Sequence, residues 1–223
     1  MEEIKIDVAG VMPVSALFLA PARPRACFVF AHGAGAGMTH AFMEAAARGL
    51  SERAIATLRY QFPYMQKGSR RPDAPPVAHA AVRAAVAQAA RLCPTLPLIA
   101  GGKSFGARMT SQAQAASPLA GVRGLAFLGF PLHPAGKPSD ERARHLFAIR
   151  IPMLFLQGTR DKLAEPATLE PVLAALAPTA SAHFLAPADH GFHVPVRSGR
   201  TDAAVLAEAL DAFAAWVPGL RDA

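Results

Sequence analysis

The chain has 223 residues, of which 52% are hydrophobic and 17% charged, so it can bury a large core and global disorder is excluded. The length suits one domain over residues 1–223, and no apolar run reaches the roughly 18 residues that a membrane span needs. The net charge of +7 comes from arginines spread along the chain, and with only 7% aromatic residues this pattern predicts no nucleic-acid partner.

Short apolar segments alternate along the chain with longer amphipathic ones. Residues 4–8 and 14–19 are predicted to form a hairpin about a turn at Gly10, and residues 26–31 a strand that is buried on both faces. Further strands are predicted at 55–62, 96–101, 122–130, 151–156 and 180–185. Helices are predicted at 40–50, 77–92, 104–116, 164–176 and 202–216. This alternation predicts an α/β fold, in which a doubly wound and mostly parallel sheet carries helices on both faces.

Two proline-rich segments, residues 63–76 and 131–138, are predicted to be surface loops near the carboxyl ends of strands, where open α/β sheets bind ligands. The segment from 132 to 147 is short, so a compact fold without a large lid domain is expected. Cys27 and Cys93 lie in apolar surroundings and cannot form a disulfide framework, and the acidic start lacks the positive head of a secretion signal. We therefore expect a cytoplasmic protein that has no membrane partner.

A serine lies between two glycines at residues 102–106 (Gly-Lys-Ser-Phe-Gly), after an apolar strand and at the start of a helix. In that context the G-x-S-x-G pattern is typical of a tight turn that exposes a serine hydroxyl, and the glycines remove Cβ atoms that would clash. Ser104 is therefore a candidate nucleophile, with an ordinary glycine-rich turn as the alternative. A phosphate-binding loop is excluded because that motif needs glycine where the chain has Pro97. Lys103 is expected to point away from the pocket, into packing or a salt bridge.

A serine alcohol is a weak nucleophile and needs a base, which in turn needs a carboxylate to orient it. Asp161 and His190 each follow a predicted strand in a turn-rich segment. The chain order Ser104, Asp161, His190 is the order that doubly wound hydrolases use. Asp140 and Glu141, which lie beyond the preceding strand, remain alternatives for the acid.

Small residues follow the buried strand at 26–31, in the run His-Gly-Ala-Gly-Ala-Gly from 32 to 37. Small side chains let the backbone approach a substrate carbonyl closely, whereas the alternative is merely a flexible loop. The backbone amides of Ala34 and Phe105 are predicted to form an oxyanion hole, with Gly35 as the alternative to Ala34. His32 is expected to brace this loop.

Charged and aromatic residues cluster at and beyond the end of the predicted strand at 55–62. Tyr64, Arg70 and Arg71 are candidate substrate contacts there, together with Gly35, and the arginines could hold a carboxylate bidentately. Exposure of Arg70 and Arg71 to water is the alternative, and the sequence leaves both open. Arg59 is expected to brace loops internally.

Seven motifs span nearly the whole chain: 32–38 (HGAGAGM), 59–65 (RYQFPYM), 70–73 (RRPD), 101–109 (GGKSFGARM), 130–137 (FPLHPAGK), 156–161 (LQGTRD) and 188–192 (ADHGF). Through them the chain resembles the α/β-hydrolase superfamily, in its dienelactone-hydrolase-like branch. Within that branch it resembles a subgroup of predicted bacterial hydrolases related to the hydrolase-like domain of an NSL chromatin complex subunit.

This resemblance implies catalytic roles for Ser104, Asp161 and His190. The chain departs from dienelactone hydrolases proper at position 104, where it has serine and those enzymes have a cysteine nucleophile. The resulting hypothesis is a serine hydrolase of small esters or thioesters, acting through an acyl-enzyme without a metal or an organic cofactor. A non-catalytic binding or scaffold protein that retains the fold is the alternative.

Overall fold

The computed structural model describes residues 1–220. The eight strands found in this range form one sheet. They are β1 (Glu2–Ile6), β2 (Val14–Leu19), β3 (Ala26–Ala31), β4 (Ile55–Tyr60), β5 (Leu98–Lys103), β6 (Val122–Leu128), β7 (Met153–Gly158) and β8 (Ala180–Leu185). Their order across the sheet is β1-β2-β4-β3-β5-β6-β7-β8. The β1–β2 and β2–β4 pairs are antiparallel and all later pairs are parallel, which confirms the predicted fold class.

Helices cover both faces of this sheet, because alternate residues of the buried strands point to opposite sides. Phe28 and Phe30 of β3 pack on one side, and Cys27 and Val29 pack on the other. The helices are α1 (Ala41–Glu52), α2 (Pro63–Gln66), α3 (Pro75–Leu92), α4 (Phe105–Ala116), α5 (Pro166–Leu176) and α6 (Asp202–Trp216). Helices α1 and α6 cover the face of Phe28, and α3, α4 and α5 cover the opposite face.

Several predicted boundaries were wrong by about two residues. The first strand was expected at 4–8 but lies at Glu2–Ile6, because the turn begins early: the Val11 amide donates to the Val8 carbonyl around Gly10. The strand expected at 96–101 lies instead at Leu98–Lys103. It therefore ends at the residue immediately before Ser104. The segment 63–76 is not wholly a loop, because prolines begin helices α2 and α3 within it.

The connection between β6 and β7 is short and contains one 3₁₀ helix, Glu141–Ala148. It packs against α4, and no large lid covers the carboxyl edge of the sheet in the part of the chain that the structure describes. Cys27 and Cys93 are both buried and unbridged. No helix within residues 1–220 is long and apolar enough to span a bilayer.

Candidate active site

Ser104 occupies the turn between β5 and α4 in a strained backbone conformation, with φ 51° and ψ −110°. Positive φ is sparsely populated by residues other than glycine and persists only where surrounding structure imposes it. The glycines on either side explain how the turn fits. A Cβ at Gly102 or Gly106 would lie 2.4 or 2.5 Å from the carbonyl oxygen of Ala31 on β3. The turn therefore presses against the neighbouring strand and presents the serine hydroxyl at the sheet edge.

The structure brings together the three side chains that the sequence singled out. Nε2 of His190 lies 2.8 Å from Oγ of Ser104, and Nδ1 lies 2.6 Å from Oδ2 of Asp161. Asp161 is fully buried, and its other oxygen accepts from the Leu163 amide at 2.8 Å. Because the carboxylate accepts from Nδ1–H, Nε2 is left to accept from the serine hydroxyl. The arrangement can therefore remove a proton from Ser104.

The alternative acids do not join this chain of hydrogen bonds. Asp140 and Glu141 are both exposed, on the connection between β6 and β7. The carboxylate of Glu141 lies 3.7 Å from the guanidinium of Arg144. Asp161 is thus the acid that contacts His190.

Gln157 on β7 holds Asp161 in place. Its Nε2 donates to Oδ2 of Asp161 at 2.6 Å, and its Oε1 accepts from the Phe130 amide at 2.9 Å. Gln157 is fully buried, so both ends of its amide are satisfied inside the protein. Gln157 was not among the residues predicted from the sequence, although a glutamine between apolar strand residues and a glycine was a usable signal.

Lys103 supports the segment that carries His190. Its Nζ donates to the His190 main-chain carbonyl and lies 5.5 and 5.2 Å from the ring centres of Phe42 and Phe192. Burial lowers the pKa of Lys103 to about 8, although nearby carboxylates, first that of Asp161, act in the opposite direction. Lys103 packs as expected, but it also lines a cavity beside the serine, so the expectation that it points away from the pocket was wrong.

The buried side chains of His32 and Arg59 hold the loop that follows β3 in place. His32 is fully buried; its Nε2 accepts from the Phe62 amide at 3.0 Å and its Nδ1 contacts the Gly33 carbonyl at 2.7 Å. Burial lowers the pKa of His32 to about 4, so the ring is neutral at pH 7. Arg59 donates to the Met38 carbonyl at 3.1 Å, as expected of a residue that braces loops.

The two residues whose amides are predicted to bind an oxyanion, Ala34 and Phe105, line one cavity together with Ser104. Phe105 is the first residue of α4, so its amide has no acceptor within the helix. Ala34 is exposed in the loop after β3. The alternative donor, the amide of Gly35, already donates to the Tyr64 hydroxyl at 3.0 Å. The amide of Ala34 is therefore favoured over that of Gly35 as an oxyanion donor. The hydrogen bond between Gly35 and Tyr64 instead helps to fix the shape of the loop.

Comparison with known proteins settles the family. Residues 24–218 match the protein family described as an alpha/beta hydrolase domain. The chain belongs to this family. Because the match covers most of the chain, strands β3 to β8, helices α1 to α6 and the segments that carry Ser104, Asp161 and His190 all lie within the matched residues, and only β1 and β2 precede them.

Solved structures show the same fold. A dienelactone hydrolase from Anabaena variabilis has a TM-score of 0.76 and 19% identity, over 99% of this chain and 98% of that one. An alpha-beta serine hydrolase homologue from Coxiella burnetii has a TM-score of 0.75 and 18% identity, over 94% and 95%. An a/b serine hydrolase without a lid from Xanthomonas campestris has a TM-score of 0.71 and 20% identity, over 95% and 94%.

Two cavities of this alpha/beta hydrolase meet at Ser104. One, of about 340 Å³, is lined by residues that include Phe105, Arg108 and Arg142. The other, of about 300 Å³, is lined by residues that include Lys103 and His190. Ser104 thus lies between two spaces that could receive the two portions of a substrate.

The predicted substrate arginines are not part of these cavities. Arg70 and Arg71 are exposed, and neither lines a cavity that contains Ser104. The arginines that do line one, Arg108 and Arg142, were not singled out in the sequence. Arg108 lies four residues after Ser104, one helical turn away, and that spacing was the available signal.

A second serine–histidine contact lies on the same helix of the hydrolase. Oγ of Ser111 is 2.8 Å from Nε2 of His145, and the hydroxyl also donates to the Arg108 carbonyl at 3.0 Å. Burial lowers the pKa of His145 to about 4. Within residues 1–220 no carboxylate hydrogen-bonds to the His145 ring. The contact therefore joins the 3₁₀ helix to α4 without the acid that a catalytic base needs.

Proposed function

We propose that this alpha/beta hydrolase cleaves small esters or thioesters, with Ser104 as nucleophile, His190 as general base and Asp161 as the orienting carboxylate. The observation that carries the proposal is the continuous hydrogen-bonded chain of 2.6 and 2.8 Å from a buried carboxylate to a strained serine that lines a cavity. The Anabaena variabilis neighbour, named a dienelactone hydrolase, is consistent with a small substrate.

In the first half of the reaction, Oγ of Ser104 attacks the substrate carbonyl carbon, and its proton passes to Nε2 of His190. Asp161 stabilises the imidazolium that forms. The amides of Ala34 and Phe105 donate to the tetrahedral oxyanion, and one such donor stabilises the transition state by about 3–4 kcal/mol in comparable sites. The proton on Nε2 then moves to the leaving oxygen or sulfur as its bond to carbon breaks.

In the second half, water attacks the carbonyl carbon of the acyl-enzyme. His190 takes a proton from this water and returns it to Oγ of Ser104 as the acid product leaves. Every proton transfer in the cycle uses the same imidazole nitrogen. The cycle is complete with the side chains and amides of the chain itself.

The alternative from the sequence is a non-catalytic binding protein, and a serine held in a strained turn beside a base argues against it. The relation to the NSL subunit and a cytoplasmic location remain predictions. Neither is needed for the proposed chemistry.

Labelling with a fluorophosphonate tests the proposal, read together with hydrolysis of 4-nitrophenyl acetate. Wild-type protein is expected to incorporate the label and to release 4-nitrophenol, whereas Ser104→Ala and His190→Ala do neither. Ser111→Ala is the matched control, because it removes the other serine that contacts a histidine, and it should label as wild type does. Failure of the wild type to label and to hydrolyse, or labelling that persists in Ser104→Ala, would refute the proposal.

A further inference from the structure

An arginine pair without an acidic partner lines the larger cavity at Ser104. Arg108 and Arg142 are both half-buried, and both contribute to the wall of the 340 Å³ cavity that contains the serine. In the described part of the chain, residues 1–220, neither guanidinium forms a hydrogen bond or an ion pair with another group. An arginine that is partly withdrawn from water normally has a carboxylate or carbonyl partner.

The two guanidinium groups also act on each other. Burial lowers the pKa of Arg108, and the positive charge of Arg142 lowers it further. Two like charges near one another in a partly desolvated wall raise the free energy of the empty site. An anion placed between them would remove this repulsion and supply the missing hydrogen-bond acceptors.

Separate elements fix the two arginines at the serine. Arg108 lies one turn beyond Ser104 on α4, so it projects near the same face. Arg142 belongs to the 3₁₀ helix Glu141–Ala148, which packs on α4. The hydrogen bond between His145 of this 3₁₀ helix and Ser111 of α4 holds the two elements together. The second serine–histidine contact thus positions an arginine and takes no part in bond breaking.

Other ionisable groups near the cavity offset its positive charge only in part. Asp73 also lines the cavity and accepts from the Tyr64 amide at 3.0 Å, and its carboxylate offsets the charge of one of the two arginines. His145 is neutral at pH 7, since its pKa is lowered to about 4 by burial and then by the charges of Arg108 and His79. Two guanidiniums and one carboxylate thus line the wall, which leaves a net charge of one positive unit for an anionic substrate.

The position of His190 indicates which portion of a substrate meets the arginines. In the proposed reaction Nε2 of His190 gives its proton to the leaving group, which must therefore lie beside that ring. His190 lines the smaller cavity and is not part of the wall of the larger one. The leaving group accordingly faces the smaller cavity, and the acyl portion extends into the larger one.

We propose that Arg108 and Arg142 bind a carboxylate on the acyl portion of the substrate, so that the hydrolase acts on monoesters or monothioesters of dicarboxylic acids. This inference rests on the proposed function and adds the substrate class to it. A planar carboxylate suits two guanidiniums because each can donate paired hydrogen bonds to it.

A pair of substrates that differ only in this charge tests the inference. Ethyl hydrogen adipate carries a carboxylate at the far end of its acyl chain, and ethyl hexanoate carries a methyl group there. Wild-type protein is expected to cleave the anionic ester with a kcat/KM at least about tenfold higher than that for the neutral ester. The ratio of these two kcat/KM values should fall about 10- to 100-fold in the double variant Arg108→Gln/Arg142→Gln. Ethanol release measures both reactions.

The matched control is Arg144→Gln, which removes an equal charge from the same 3₁₀ helix but at an exposed arginine that pairs with Glu141. It should leave the ratio unchanged. Because both esters are cleaved by the same active sites, the ratio does not depend on how much of a variant is folded. Adipate itself should raise the Tm of Ser104→Ala and should not do so when both arginines are also replaced.

Three results would overturn the inference: equal cleavage of the two esters by wild type, a ratio unmoved in the double variant, or a preference only for a carboxylate on the alcohol portion. The last is measured with 3-acetoxypropanoate against propyl acetate. Cleavage of neutral esters without an anionic preference would refute the arginine site and leave the proposed function standing. Cleavage of no ester would refute the proposed function, and the adipate shift in Tm would then decide the anion site separately.

Discussion

Two serine–histidine hydrogen bonds of 2.8 Å lie two turns apart along one helix, within the part of the chain that the structure describes. Ser104 precedes α4 and contacts His190, and Ser111 lies inside α4 and contacts His145. The two contacts have the same length, so distance does not distinguish them. They differ in the groups around each imidazole, and catalysis depends on the protonation state of the imidazole and on the group that orients it.

At the first contact, the far nitrogen of His190 meets a buried carboxylate, and the serine lies in a strained turn that lines two cavities. At the second, the serine hydroxyl donates to the carbonyl one turn earlier in the helix. Burial lowers the pKa of His145 to about 4, so an imidazolium there is costly. A histidine can act as a base where a carboxylate stabilises its charged form, and without that carboxylate the same contact serves as a structural link.

The largest expected difference between the two contacts is in turnover. Ser104→Ala should lower kcat for 4-nitrophenyl acetate by about 10⁴-fold or more, because the nucleophile is lost. Ser111→Ala should stay within about threefold of wild type, because it loses only one hydrogen bond. Steady-state kinetics measure both, and similar losses in the two variants would remove the distinction.

Removing the carboxylate of Asp161 should leave the Ser104–His190 contact without an acid, which is the situation of the Ser111–His145 contact. Asp161→Asn is expected to lower kcat by about 10⁴-fold, because an amide cannot stabilise the imidazolium and favours the wrong ring tautomer. Glu141→Gln, at one of the alternative acids, serves as the control and should change kcat less than about twofold. A larger loss in Glu141→Gln than in Asp161→Asn would assign the acid differently.

Losing Gln157, which donates to Asp161, should lower kcat measurably but less than losing the carboxylate of Asp161 itself. Gln157→Met removes the amide that donates to Asp161 and is expected to lower kcat about 10- to 100-fold while KM changes little, because the carboxylate is less well oriented. Gln88→Met applies the same chemical change at a half-buried glutamine of α3 that lines neither cavity at Ser104, and it should leave kcat unchanged. Unchanged kcat and an unchanged pH profile in Gln157→Met would show that Asp161 needs no such support.

The smallest expected effect is on stability, and it depends on the neutral state of His145 at the second contact. His145 and His32 have pKa values lowered from 6.5 to about 4, so the unfolded chain binds their protons first as the pH falls. The free energy of unfolding should therefore decrease between about pH 6.5 and pH 4, by at most about 3 kcal/mol for each ring. Urea titrations of wild type and His145→Gln should show a shallower dependence in the variant. Parallel curves would mean that His145 is not held neutral.

How much the sequence could predict depended on whether a feature is local. The meeting of Ser104, Asp161 and His190 could be predicted because each residue follows a strand, and parallel strands end at one edge of a sheet. Arg70 and Arg142 look alike in the sequence, as arginines in polar connections, and only the packing of the 3₁₀ helix on α4 brings Arg142 to the cavity.

Other features were missed because they depend on which way a side chain turns. Lys103 precedes the nucleophile, and local geometry alone suggested that it points away. The pairing of Gln157 with Asp161 crosses from a strand to the following turn. Strand ends shifted by two residues where a turn closed early, as at Val8 and Val11, since propensity places such boundaries poorly.

The bond from Lys103 to the main-chain carbonyl of His190 joins the two halves of the site through the backbone. Since the acceptor is a main-chain carbonyl, this bond does not depend on the imidazole of His190. The segment should therefore keep its place when the histidine side chain is truncated, whereas insertions or deletions there should displace it.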